Sequence, residues 1–346
     1  MNDKTTITPI SRSRRPIPYL LLWAMPLLLA VGGSIQTMIS LQQRNSLAPA
    51  AMTGSLCMDE KINFLSQHPE NDAQIIVIGS SMGLNNLNSK LIVDSLQPDG
   101  RFINLSAWGR SIKQSGDWLN LVLETTSPRL VILPCSLMDF NQQSDTQRHD
   151  YDLQEVRRYL QNPNPIWSHT RHFDPIYYLK HAPEIANARK QRSMYATLAF
   201  DTYGGVMLEP IDWTNQSRWT LLSGTNRLSS QDQYRALAEI ADMLAARNCK
   251  LVVLQTPIRI SLAAKNQPVI DKHFKQLAQS CAHPNITYFN AHEALRLDDA
   301  NFADGTHLNQ NGATILSKYL VSQLQQDTAQ LTRHHKDSPQ KQQNQG

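Results

Sequence analysis

Gln74-Ile75-Ile76-Val77-Ile78-Gly79-Ser80-Ser81-Met82-Gly83 is the stretch from which the rest of the chain is read. A short run of β-branched residues closed by glycine reads as a buried strand, and Gly-Ser-Ser reads as a turn into a helix with a serine at its cap. Four more apolar runs follow, at Phe102–Leu105, Leu130–Leu133, Leu251–Leu254 and Ile286–Phe289. Helical patterns separate them. Ser229-Ser230-Gln231-Asp232, for example, opens a segment whose Tyr234, Leu237, Ile240, Leu244 and Ala245 recur at helical spacing. Strands alternating with helices predict an α/β fold, a three-layer sandwich with a five-stranded parallel sheet and helices on both faces.

Sites in such sheets form at the carboxyl ends of the strands. Ser80 and Ser81 follow the first strand, and backbone N–H groups at the start of the next helix suit a developing oxyanion. Gly109, in Asn104-Leu105-Ser106-Ala107-Trp108-Gly109, follows the second strand and offers an N–H with no side chain in the way. Ser136 follows the third strand and Arg259 the fourth, the latter as an anion-binding candidate or a helix-end contact. After the fifth comes Phe302-Ala303-Asp304-Gly305-Thr306-His307-Leu308-Asn309. In Asp-x-x-His a carboxylate can fold back onto Nδ1–H of the imidazole and leave Nε2 free to take a proton. Gly-Ser-Ser alone also fits a purely structural turn, and Asp-x-x-His alone a helix cap. Their joint order along the sheet points to Ser81, rather than Ser80, as nucleophile, with His307 as base and Asp304 as its orienting acid.

The chain has 346 residues, 41% of them hydrophobic, enough for a sizeable core. A net charge of +4, with no basic run interleaved with aromatics, excludes a nucleic-acid reading. Ile17 to Ile35 is almost wholly apolar and uncharged, and Arg12, Arg14 and Arg15 precede it. This predicts a membrane anchor over 17–39 behind a cytoplasmic N-terminus (1–16), with the globular part periplasmic or extracellular. A signal peptide cut near Ala30-Val31-Gly32 is the rival, set aside because the apolar run is long for one. A polar tether (40–56) leads to the domain (57–325), and a Gln- and His-rich tail (326–346) is expected to be disordered. Cys57, Cys135, Cys249 and Cys281 show no metal-ligand spacing. Cys249 and Cys281, each ahead of a strand, are either a disulfide or two buried thiols.

Residues 140–228 make too long an interval for a plain crossover and are expected to form an inserted cap. Leu198–Leu208 reads as a β-hairpin turning at Gly204-Gly205. Tyr177, with Tyr178, and Trp213 are candidate carbohydrate contacts. The histidines of this span, His149, His169, His172 and His181, lack a metal-binding helical pair, so no metal or other cofactor is expected.

Taken together, these segments resemble the SGNH or GDSL hydrolase superfamily over roughly residues 70–325, minus the insertion. The family's first block is matched by Gly79-Ser80-Ser81, with Ser80 where many members have aspartate, and its last by Asp304 and His307. The resemblance implies a flavodoxin-like strand order 2-1-3-4-5, Ser81 as nucleophile, and an oxyanion hole from Ser81, Gly109 and a third-block residue. That residue is usually asparagine; Leu133-Pro134-Cys135-Ser136 offers only Ser136. Anchored relatives of this kind act on cell-envelope glycans, so the resemblance implies a polysaccharide O-acyltransferase or esterase at the inner membrane, working beside a membrane-bound acyl donor protein. The alternative is a non-catalytic binding or assembly subunit of an envelope polysaccharide system.

Overall fold

The computed structural model describes residues 17–68, 72–97, 101–141, 152–190, 198–209 and 230–337. The chain divides into two compact units at Leu47–Ala48. In the first, α1 (Ile17–Gln43) is the one helix among the described residues long and apolar enough to cross a membrane. Its side chains from Trp23 to Ile39 include eight large apolar groups open to the surroundings.

The second unit begins with α2 (Leu56–Gln67) and then alternates: β1 (Ala73–Val77), α3 (Ser81–Asn85), α4 (Ser89–Leu96), β2 (Arg101–Asn104), α5 (Ile112–Val122) and β3 (Leu130–Cys135). Among the described residues three helices follow, α6 (Leu153–Gln161), α7 (Pro165–Arg171) and α8 (Pro175–Lys190). The sheet resumes through α9 (Gln231–Ala245), β4 (Lys250–Gln255), α10 (Ile260–Lys265), α11 (Gln267–Ser280) and β5 (Ile286–Asn290). It closes with α12 (Ala291–Leu295) and α13 (Gln310–Asp337).

The five strands are all parallel, in the order β2-β1-β3-β4-β5. In register, Ile76 lies between Ile103 and Val131, and Leu251 between Val131 and Ile286. Alternate side chains leave opposite faces. Ile75, Val77, Ile132, Val252, Leu254 and Phe289 share one core with Ile92 of α4 and with Ala313, Leu316 and Leu320 of α13. Ile76, Val131, Leu133, Leu251 and Val253 are buried as completely, and α5, α9 and α11 pack together as the second helical layer. Both faces being covered explains why the strands read as unbroken apolar runs. The order reverses at β1, flanked by β2 and β3, so a crevice at its carboxyl end is the place for a site.

Four expectations meet a different structure or a choice. Leu198–Leu208 holds a tight turn without paired hairpin strands. Asp201 accepts the N–H groups of Tyr203 and Gly205 at 2.8 Å each, and Val206 N–H donates to Leu84 O at 2.9 Å. Asp201 N–H and Gly205 O close the turn on itself at 2.8 Å, while Tyr203 O, Val206 N–H and Leu208 O bond to the domain rather than to a partner strand. All four cysteines are buried free thiols, and burial pushes Cys249 and Cys281 up to about 12. Of the tail, α13 continues to Asp337, beyond the start of the Gln-rich composition, and 338–346 fall outside the described residues. Of the expected insertion, α6 packs against α2, while 210–229, including Trp213, fall outside the described residues.

Candidate active site

β1 ends at Val77, and the chain must turn sharply to enter α3. Gly79 makes the turn at φ +148°, where a side chain is strained, and a Cβ there would lie 3.0 Å from Pro134 O. Ser80 caps α3, its Oγ accepting from Met82 N–H at 3.1 Å. Ser81 therefore opens the helix over the carboxyl end of the sheet. Gly83, one turn on, allows α3 to sit against Ser106, since a Cβ at Gly83 would meet Ser106 Oγ at 2.2 Å.

The opposing turn is built by its own backbone. Ala303 N–H donates to His307 O at 2.8 Å, and Phe302 and Leu308 form an antiparallel bridge. Asp304 Oδ1 accepts the N–H groups of Thr306 (2.9 Å) and His307 (2.8 Å), which aims the carboxylate at the imidazole. Asn309 finishes the turn: its Oδ1 accepts from Asn311 and Gly312 N–H at the start of α13, and its Nδ2 donates to Ala300 O at 2.7 Å.

These two turns, 226 residues apart in sequence, meet. His307 Nε2 lies 2.8 Å from Ser81 Oγ, and His307 Nδ1 lies 2.9 Å and 3.0 Å from the two oxygens of Asp304. A carboxylate only accepts, so it fixes the proton on Nδ1 and leaves Nε2 as acceptor for the serine hydroxyl. All three residues are buried, Ser81 5% and His307 8% exposed, so the contact lies in a crevice and not on open surface. Asn86 holds the two turns together, its Oδ1 accepting Leu308 N–H at 2.9 Å.

A second carboxylate stands close by. Asp139, 3% exposed, accepts Ser136 N–H at 2.8 Å and a hydrogen bond from the Ser80 hydroxyl. Burial pushes it up to about 7, opposed by those two bonds and by the nearby His307. Asp139 thereby ties the loop after β3 to the cap of the Ser81 helix. Sequence reasoning passed over it, although Ser136-x-x-Asp139 has the spacing of a capping box. Lys61 was also missed. Fully buried, it donates to Asn104 O (2.9 Å) and to Gly204 O, and Phe200 lies under its ammonium at 4.1 Å. It pins the 201–205 turn to the end of β2, and Asn85 Nδ2 of α3 in turn donates to Val206 O at 2.8 Å.

The other predicted site residues fare unequally. Gly109 is exposed at φ +68°, with no atom within 4 Å of a hypothetical Cβ, so its backbone conformation and not crowding calls for glycine. Ser136 is buried, and its Oγ makes no hydrogen bond among the described residues. Arg259 is buried and committed: its Nε and Nη2 reach the two oxygens of Asp299 at 3.0 and 2.6 Å, and Nη2 also donates to Ser261 Oγ at 3.1 Å. It braces the loop after β4 against the segment that leads to Asp304. Tyr177 is likewise interior, its hydroxyl donating to Asp59 Oδ2 at 2.9 Å, and Tyr178 is buried beside it. Neither ring is placed as a sugar platform. In the insertion, His172 and His181 lie against Glu155 and Glu184.

No protein-family model and no curated protein matches this chain. Among solved structures that match is one from Bacteroides fragilis, provisionally described as an acylhydrolase. It is 11% identical, covers 76% of this chain and 95% of its own, and superposes with a TM-score of 0.39. That likeness is too distant to carry an activity across.

Proposed function

We propose that this chain is an SGNH-type acyl-transfer enzyme whose nucleophile is Ser81. The observation that carries the reading is the relay itself, with Ser81 Oγ 2.8 Å from His307 Nε2 and His307 Nδ1 held by Asp304. Ser81 Oγ attacks an ester carbonyl carbon while His307 Nε2 takes the hydroxyl proton. The carbonyl oxygen gains the negative charge and is met by the N–H groups of Ser81 and Gly109 and by the Ser136 hydroxyl, which makes no side-chain hydrogen bond among the described residues. The C–O bond to the leaving alcohol then breaks, that oxygen takes the proton from His307, and an acyl-serine remains. A sugar hydroxyl or water repeats the steps in reverse order, giving its proton to His307 as it displaces Ser81. The acceptor decides between an O-acyltransferase and an esterase.

With α1 as an anchor, the substrate class is an acylated cell-envelope glycan outside the cytoplasm, supplied by a membrane-bound acyl donor. One feature favours the second reading, a non-catalytic binding subunit of an envelope polysaccharide system: the third segment supplies serine where the family's oxyanion hole uses asparagine. A fluorophosphonate probe on the full-length protein separates the two. Labelling that survives Ser80→Ala and disappears in Ser81→Ala is expected. An unlabelled wild-type protein would instead support the binding subunit.

A further inference from the structure

Outside α1, six large apolar side chains among the described residues stand exposed: Trp167, Phe173, Ile176, Leu179, Ile260 and Ile315. Four of these fall between Trp167 and Leu179, at 61%, 38%, 76% and 60% exposure. They belong to α7, α8 and the link between them. On α8, Ile176, Leu179 and Lys180 are spaced to share one outward face, while Tyr177, Tyr178 and Ile185 are buried on the other. A helix face with large apolar groups left open to solvent calls for a covering partner.

The inner face of the same two helices grips the stretch of chain that follows α1. His169 Nε2 lies 3.2 Å from Ala48 O, Tyr178 is hydrogen-bonded to the backbone of Ala51, and Tyr177 donates to Asp59. Met52 and Trp167 line one cavity of about 140 Å³. Between the end of α1 at Gln43 and Ala48 there are only residues 44–47. Five steps of fully extended chain reach no more than about 18 Å. A membrane entered by α1 is therefore never far from the segment to which α7 and α8 are fastened. Composition agrees with that neighbour. Aliphatic groups beside exposed Lys180 suit the boundary between headgroups and acyl chains, while Arg171 is paired with Glu155 at 2.7 Å. The acids nearby are engaged, Asp174 by the N–H groups of Ile176 and Tyr177, and Glu184 by His181.

We propose that the outward face of α8 carrying Ile176, Leu179 and Lys180 rests in the headgroup boundary of the bilayer that α1 enters. The domain is then held to the membrane at a second place besides its anchor. This rests on α1 being a retained membrane span.

The test uses the full chain in vesicles of phosphatidylcholine and phosphatidylglycerol, with the photo-crosslinker benzoylphenylalanine placed singly at Ile176, Leu179 or Ile315. All three positions are exposed, so the core is untouched. After illumination, severalfold more lipid adduct is expected at 176 and 179 than at 315. A chain that stays in carbonate-washed vesicles but gives equal adducts at the three positions overturns the resting face alone. Release of the chain by carbonate overturns the anchor reading, and the resting face with it.

Discussion

Replacing Asp304 with asparagine probes the relay with little change of shape. Asp304 Oδ1 accepts two backbone N–H groups, at 2.9 and 2.8 Å, and the other oxygen faces His307 Nδ1 at 2.9 Å. An amide in this place must keep its oxygen on the backbone side, since the reverse orientation sets its NH₂ against two N–H donors. Its NH₂ then points at Nδ1, which can receive it only by giving up its proton. The imidazole proton moves to Nε2, 2.8 Å from Ser81 Oγ, and the former acceptor becomes a donor. Ser81 loses its base. Comparable tautomer reversals in serine hydrolases cost about 10⁴-fold, or roughly 5.5 kcal/mol of barrier at ~1.36 kcal/mol per decade. Folding stability should change by less than about 1 kcal/mol, because the backbone bonds to the side chain survive. Second-order rates of fluorophosphonate labelling for wild type and Asp304→Asn, with urea titrations alongside, measure both quantities. A loss below about tenfold with the fold intact would refute the assignment of Asp304 as the group that sets the tautomer.

Three further outcomes follow from the same geometry. Lys61→Met strips two buried carbonyls, Asn104 O and Gly204 O, of a charged donor, and should cost roughly 2–4 kcal/mol in urea denaturation; a midpoint at or above wild type would contradict the role given to Lys61. Gly83→Ala puts a methyl 2.2 Å from Ser106 Oγ and 3.0 Å from its Cβ, so about 1–3 kcal/mol of destabilisation and slower labelling of Ser81 are expected, with partial recovery in Gly83→Ala/Ser106→Gly. Burial raises Asp59 from 3.8 to about 7, so the folded state binds a proton that the unfolded state lacks between those values. Its contribution is present in full below pH 3.8 and is lost as pH rises through 7, by an amount of order 4 kcal/mol over ~3 pH units. Asp59→Asn should therefore gain on wild type between pH 4.5 and pH 8 in paired denaturation curves, and a constant difference would count against the shift.

The strands were legible because parallel strands covered on both faces are apolar at most positions, and each expected run falls inside an observed strand or overruns it by one residue. Ser81 and the Asp304–His307 pair were legible for a related reason: residues closing a strand of such a sheet converge at one edge, whatever their separation in the chain. Lys61 and Asp59 were not. They sit in Asp59-Glu60-Lys61, a charged triplet indistinguishable by composition from a solvated helix face. Their partners, Gly204, Asn104 and Tyr177, lie 143, 43 and 118 residues away. No local pattern records such pairings. Gly204-Gly205 misled for the converse reason. Two glycines permit a hairpin turn, but here Gly204 turns at φ +89° and both lie close to the domain, Asn104 O and Ser89 Oγ coming within 2.5 and 2.7 Å of where their Cβ atoms would lie. Arg259 and Tyr177 show the same limit, since an anion-binding arginine and one already paired with Asp299 have the same letter.

The bond from Leu308 N–H to Asn86 Oδ1 has a bearing on the order in which the molecule acquires reactivity. Ser81 and all five strands are made before residue 291, whereas His307 and the helix that seats it belong to the last part of the chain. A domain generally folds as a unit, and α13 supplies part of the core on one face of this sheet. Until that helix has been made, Ser81 has no imidazole beside it and is an ordinary alcohol. The contact between Ser81 and His307 is made last, when α13 docks and Asn86 captures the turn before it.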